Sequence, residues 1–289
     1  MFYIQKNDKP NLFEKAFNII KMKENILYIP INEKTTNKKI EKIAQKTKKI
    51  ILKYSNSKKI ILSKKLQEET LYMNYLNSYG LDIQNGKWLY EILVSDIIKY
   101  IINKKKMKKE EINLSILIND LTDIEFENIK KLAQSYKNVN IVTNHIEKFK
   151  KLEEQLMEEG IVITISNNKK KSLMKSQIIL NVDFPKELIN KYMINDEAII
   201  VNIPEKIKIN KKRFNGILIK NYDIDFRNDL KEEKYLAEDN FYLKDIYEAQ
   251  LYRKQSIEEI RKKLKRDNVV VKKVYLNNSE FWKCVVTDY

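Results

Sequence analysis

Glycine is scarce in this chain: Gly80, Gly86, Gly160 and Gly216 are the four present among 289 residues, and no two share a phosphate-loop spacing. Their absence elsewhere argues against both a GxGxxG dinucleotide turn and a P-loop, which need glycine so that the backbone can approach a phosphate. Histidine and cysteine occur once each, as His145 and Cys284. That argues against a Cys/His zinc site and against a Cys–His nucleophilic pair, because the two fall in different expected domains. A lone cysteine also excludes an internal disulfide and fits a reducing, cytoplasmic setting. Charges interrupt even the richest apolar run, Ile97 to Ile102, so no membrane span is expected. Met1 to Lys9 lacks the basic-then-apolar order of a secretory signal.

Arginine is scarce too. Only Arg213, Arg227, Arg253, Arg261 and Arg266 accompany the lysines that set the net charge of +16. Residues 1–110 hold 24 Lys against 11 Asp plus Glu, a net +13, whereas residues 221–289 hold 14 basic against 14 acidic groups. The basicity is therefore an N-terminal property. Such a field attracts RNA, DNA, phosphate-bearing ligands or an anionic membrane surface, with nucleic-acid binding expected to be weak. Specific base or phosphate readout, however, favours the planar Arg fork. A chain rich in Lys, Ile and Asn is also what an AT-rich coding sequence yields.

What is present is an alternation of strand and helix. Short β-branched runs at 26–31 and 58–63 flank a helix over 37–54, whose Ile40, Ile43, Ala44, Thr47, Ile50, Ile51, Tyr54 stripe opposes a lysine face. Helices are expected at 66–79 and 88–103, and the charge run Lys104 to Lys109 marks a domain boundary. Beyond it, strands are expected at 114–118, 139–142, 161–165, 178–182, 198–203 and 217–219. Helices are expected between them at 124–136, 146–159, 169–176 and 185–192. That pattern predicts an α/β fold: a Rossmann-like, doubly wound parallel sheet preceded by a smaller α/β domain. One amphipathic helix over 243–265, then strands at 269–276 and 281–286, would complete the chain. The expected domains are 1–105, basic; 106–222, Rossmann-like; and 223–289, a return helix and short strands packing back on the first.

Ligands of open α/β sheets sit beyond the carboxyl ends of the strands. At the first such end stand Asn119, Asp120 and Thr122, where glycines would be; Asp120 and Asp123 would repel a pyrophosphate. Thr122 with Glu125 also spells a capping box. The second strand ends in Thr143, Asn144 and His145, where dinucleotide domains read the ribose. The third ends in Ser166, Asn167, Asn168 and Lys169, a basic loop at a helix start and a candidate anion site. Asp183 completes the rim.

The run Gly80-Leu81-Asp82-Ile83-Gln84-Asn85-Gly86, a helix, the Rossmann-like unit and a helix carrying Ile246-Tyr247-Glu248-Ala249-Gln250 together resemble shikimate dehydrogenases and, more loosely, glutamyl-tRNA reductases. The resemblance covers roughly residues 80–265 and is architectural. It implies a substrate domain first, an NADP-binding domain second and a C-terminal helix folding back on the first, with His145 where the family places an arginine for the NADP phosphate. The departures are substantial. The GAGG turn is replaced by Asn119-Asp120-Leu121-Thr122, the aspartate expected near Gln84 and Asn85 is an amide, and the catalytic lysine motif is not recognisable in residues 1–79.

These observations lead to a dehydrogenase-like protein without a bound cofactor, serving as a non-catalytic binding or regulatory module for a small-molecule or nucleotide ligand. A divergent NADP-linked oxidoreductase and an RNA- or ribosome-associated protein are the two alternatives.

Overall fold

The computed structural model describes residues 1–203, 214, 216–226, 240–276, 279 and 280. They divide into two compact units, one from Met1–Trp88 with Arg227–Gln255, the other from Leu89–Phe226 with Ser256–Tyr289. The first unit runs β1 (Phe2–Lys6), α1 (Leu12–Phe17), β2 (Lys21–Lys23), β3 (Ile26–Ile29), α2 (Asn37–Tyr54), β4 (Lys59–Leu62), α3 (Thr70–Ser78) and β5 (Asp82–Gln84). The second opens on α4 (Lys87–Lys104), which belongs to it from Leu89 onward, then β6 (Asn113–Leu117), α5 (Asp123–Ser135), β7 (Asn138–Val142), α6 (Ile146–Glu158), β8 (Thr164–Ser166) and α7 (Lys169–Lys175). It continues through β9 (Ile178–Asn181), α8 (Lys186–Ile189), β10 (Ile199–Asn202), β11 (Ile217–Ile219) and β12 (Asn221–Asp225). Helix α9 (Leu243–Ala249) returns to the first unit, whereas α10 (Ile257–Arg266), β13 (Val270–Leu276) and β14 (Ser279–Glu280) belong to the second.

The first sheet has the order β2-β3-β1-β4-β5 and is parallel except for the edge strand β2. One face packs Ile4, Leu27, Ile29 and Leu62 against Ile40, Ile43 and Ile51 of α2 and Tyr72 and Leu76 of α3. The periodicity of the α2 stripe dictates that contact. The buried Tyr72 hydroxyl keeps a partner, Thr47 Oγ1, at 2.8 Å. Tyr3 and Ile61, pointing the opposite way along their strands, meet Phe241, Ile246 and Ala249.

The second sheet is six-stranded and parallel throughout, in the order β8-β7-β6-β9-β10-β11. Counted along the chain this is 3-2-1-4-5-6, the Rossmann order, so the topology itself carries the fold class. Every residue of β9 and β10 is buried, as expected of strands covered on both faces. Leu173, Phe184 and Ile189 cover one face against Leu117, Ile179 and Ile200. Strands β12, β13 and β14 form a separate antiparallel sheet. Among the described residues no helix is long and apolar enough to cross a membrane.

Several elements differ from the sequence reading. Strands β1 and β5 were not expected, and β1 is the central strand of its sheet. The third strand of the Rossmann-like unit starts at Thr164 and not Ile161, because the Ile161 N–H still closes α6 by donating to the Leu156 carbonyl at 2.8 Å. The helix expected over 185–192 is confined to Lys186–Ile189. The single helix expected over 243–265 is two. Ser256 starts α10 with a reciprocal capping box to Glu259, and the two helices belong to different units, α9 alone of the pair going with the N-terminal sheet. The units part at Trp88, not at the lysine run, because α4 is apolar nearly all round and buries ten residues. The strand expected at 281–286 lies outside the described residues.

Candidate functional site

The carboxyl ends of β6, β7 and β9 meet at the point where the strand order reverses. Asn181, wholly buried at the end of β9, accepts the Phe184 N–H at 3.0 Å and donates to the Phe184 carbonyl at 3.1 Å and to Asn202 Oδ1 at 2.7 Å. These bonds fold the turn between β9 and α8 back toward β6. They set Asp183 opposite the β6–α5 loop.

The Asn119 N–H donates to both Asp183 oxygens, at 2.9 and 2.7 Å, and the Asp120 N–H donates to Oδ2 at 2.9 Å. Asn119 Nδ2 adds a bond to Oδ1 at 3.2 Å, while its Oδ1 accepts the Asn144 N–H at 3.0 Å. Asn119, Asp120, Asn144 and Asp183 therefore share one network. Two backbone donors of the β6–α5 turn are thereby held by an internal carboxylate.

The remaining side chains of the crevice act locally. Asp120 pairs with Lys148 at 2.6 Å, and that hydrogen bond, followed by the charge itself, holds the Asp120 carboxyl below its ordinary range. Thr122 and Glu125 form the capping box of α5. Burial pushes the Glu125 carboxyl up, opposed by backbone bonds from Glu125 and Thr122 and reinforced by Asp183. Thr143 is buried and its hydroxyl accepts the His145 N–H at 3.0 Å, leaving the His145 ring exposed beside the exposed Asn144. Ser166 Oγ accepts the Asn168 N–H at 3.0 Å, and Asn168 caps α7 by accepting from the Lys171 N–H at 3.1 Å. Lys169 donates from its ammonium to the Asn167 carbonyl at 3.3 Å. The Ser166–Lys169 loop thus closes on itself.

Two groups were not singled out from the sequence. Asn181 and Asn202 are one: an amide closing an otherwise apolar strand, seen twice, was the available signal. The other lies on the sheet face under α7, where Asn140 donates to Ser172 at 2.8 Å and Ser176 to Ser115 at 2.7 Å. These residues line a cavity of about 440 Å³ that also takes in Ser166, and Asn140 Oδ1 has no partner among the described residues. Ser115 and Asn140 interrupt β-branched runs, which was legible as polar alternation. Among the described residues no group of three or more His, Cys, Asp or Glu side chains could hold a metal ion.

The chain matches no protein-family model and no curated protein. Among solved structures it is similar to the A chain of dipicolinate synthase from Bacillus subtilis, at 8% identity and a TM-score of 0.36, over 68% of this chain and 65% of that one. It is also similar to the apo form of D-mandelate dehydrogenase from Rhodotorula graminis, at 11% identity and 0.35, over 75% and 80%. A formate dehydrogenase from Granulicella gives 12% and 0.32, over 63% and 55%. The chain thus spans less than two thirds of the length of the first and third of these.

Proposed function

We propose that this protein is a non-catalytic binding or regulatory protein on a two-domain scaffold of the shikimate-dehydrogenase kind, whose switch-point crevice does not carry a dinucleotide. The observation behind this reading is the Asp183 carboxylate on the N–H groups of Asn119 and Asp120. A pyrophosphate in that place would have to displace a charged acceptor already holding those donors, and would face its negative charge at short range. The residues present therefore do not fit NADP or NAD. The exposed Asn144, His145, Asn167 and Asn168 leave a polar rim, suited to a small ligand recognised by hydrogen bonds.

Thermal denaturation with NAD, NADP and NADPH tests the reading. At about 5 mM of each, no more than a marginal rise in the melting temperature is expected, since stabilisation follows RT ln(1 + [L]/Kd). A rise of several degrees with any of them would return the protein to the oxidoreductases.

A further inference from the structure

Helix α1 is turned inside out. The residue it buries is Glu14, at 3% exposure, whereas Leu12, Phe13 and Phe17 stand 82%, 71% and 63% exposed. Ala16 is exposed as well, and positions 12, 13, 16 and 17 fall on one face of a helix. The rings of Phe13 and Phe17 stack there, with centroids 6.4 Å apart. Glu14 enforces this orientation. Its carboxylate accepts from Asn7 Nδ2 at 2.9 Å and from the Asn11 N–H at 3.3 Å, and pairs with Lys21 at 2.6 Å. Rotating α1 to hide its apolar side would strip Glu14 of these partners and break the capping box with Asn11. Ile19 and Met22, the latter on the edge strand β2, follow in the chain and are exposed too. A lone exposed apolar side chain is ordinary, but a cluster held outward marks an interaction surface.

Charge selects the partner. The Lys46 ammonium donates to the Phe17 carbonyl at 2.7 Å and to the Asn18 carbonyl at 3.2 Å, which sets α2 beside the end of α1. Lys39, Lys42, Lys49 and Lys53 share its side of α2 at spacings of three and four residues, and all are exposed. Residues 1–88 hold 18 Lys against 8 Asp plus Glu, a net +10. The partner must therefore offer apolar depth and negative charge on one surface. A second copy of this chain does not, because a two-fold contact on α1 would bring two lysine stripes together. An anionic lipid bilayer does: its headgroups attract the ammonium groups and its acyl boundary takes the phenylalanines. The scarcity of arginine fits this partner, since a diffuse surface charge requires no planar fork.

We propose that the outer face of α1 and the lysine stripe of α2 dock this protein reversibly on an anionic lipid surface. Co-sedimentation of the full chain with vesicles at physiological salt tests it, comparing phosphatidylcholine alone with phosphatidylcholine carrying about 30% phosphatidylglycerol. Partitioning onto the anionic vesicles should exceed that onto the neutral ones by about tenfold or more. Phe13→Gln/Phe17→Gln keeps helix propensity and the Glu14 contacts, and should lower partitioning by about tenfold. Lys42→Gln/Lys49→Gln should lower it by a similar factor, of about tenfold. Met157→Gln/Met193→Gln removes exposed apolar side chains from the other unit and should leave it within about twofold. No sedimentation with about 1 mM anionic lipid would overturn the proposal. Binding that the phenylalanine variant leaves unchanged would also overturn it, by reducing the contact to charge adsorption. A dimer in solution that dissociates in that variant would overturn it as well, by giving the face to a second copy. Asp183 lies in the other unit, so failure here leaves the reading of the crevice untouched.

Discussion

The Asp183 carboxylate holds the Asn119 N–H between its two oxygens, at 2.9 and 2.7 Å. A residue at the end of the fourth strand of the Rossmann order thereby closes the turn that follows the first. Asp183→Ala leaves those N–H groups without their acceptor and should destabilise the chain by about 1–3 kcal/mol in equilibrium urea unfolding. Asp183→Asn retains one acceptor oxygen and should lose less. An unchanged unfolding midpoint for the alanine variant would mean that the turn is held by other groups.

Ser256 separates two helices that sequence periodicity alone would merge. Its hydroxyl accepts the Glu259 N–H at 3.3 Å, and the Glu259 carboxylate accepts the Ser256 N–H at 3.1 Å. Ser256→Ala should cost about 1 kcal/mol and raise amide exchange in the first turn of α10. Protection unchanged by the substitution would argue that residues before 256 continue the helix.

The parts of the fold legible in the sequence were those with strong local periodicity. The β6 to β11 alternation was readable because strands buried on both faces are apolar throughout and the amphipathic helices between them carry one-sided stripes. Strand β1 was not: Phe2–Lys6 is short and ends in Gln5 and Lys6, and its central place depends on pairing with residues 26–29 and 60–62, which no local window contains. Periodicity alone merges α9 and α10, because apolar residues at helical spacing continue across the Ser256–Glu259 cap that separates them. At the crevice, the residue types and strand ends could be read, but not that Asp183 would turn inward. That depends on the buried Asn181–Asn202 amide pair, a contact between different strands.

Gly216 is required for space. A Cβ there would lie 2.3 Å from the Ala198 carbonyl oxygen, which already accepts the Ile217 N–H at 3.0 Å and so cannot withdraw freely. Gly216→Ala should destabilise by about 1–3 kcal/mol through overpacking. At Gly160 nothing lies within 4 Å, and only its φ of +75° opposes a side chain, so Gly160→Ala should cost about 1–2 kcal/mol. Unfolding midpoints of the two variants check the distinction if each is combined with Asn replacement: Asn tolerates positive φ and should restore position 160 but not 216.

Glu14 ties α1 to the end of β1 through Asn7 and to Lys21 at 2.6 Å, and the Lys21 bond, ahead of the other contributions, holds its carboxyl below the ordinary value of 4.5. A folded value below the unfolded one stabilises the chain above the ordinary carboxylate range, and that stabilisation disappears as the pH falls through the folded value. The stability difference between the wild type and Glu14→Gln should therefore be constant near neutrality and close below about pH 4. A difference that persists unchanged into acid would assign it to packing and not to charge.

The central claim is that an internal carboxylate has taken the place of the cofactor's pyrophosphate, and calorimetric titration of the purified full chain with NADPH tests it most directly. The account predicts no binding tighter than about 1 mM, a free energy of about 4 kcal/mol. A micromolar dissociation constant, with Asp183 released from Asn119 and Asp120 in the complex, would contradict it.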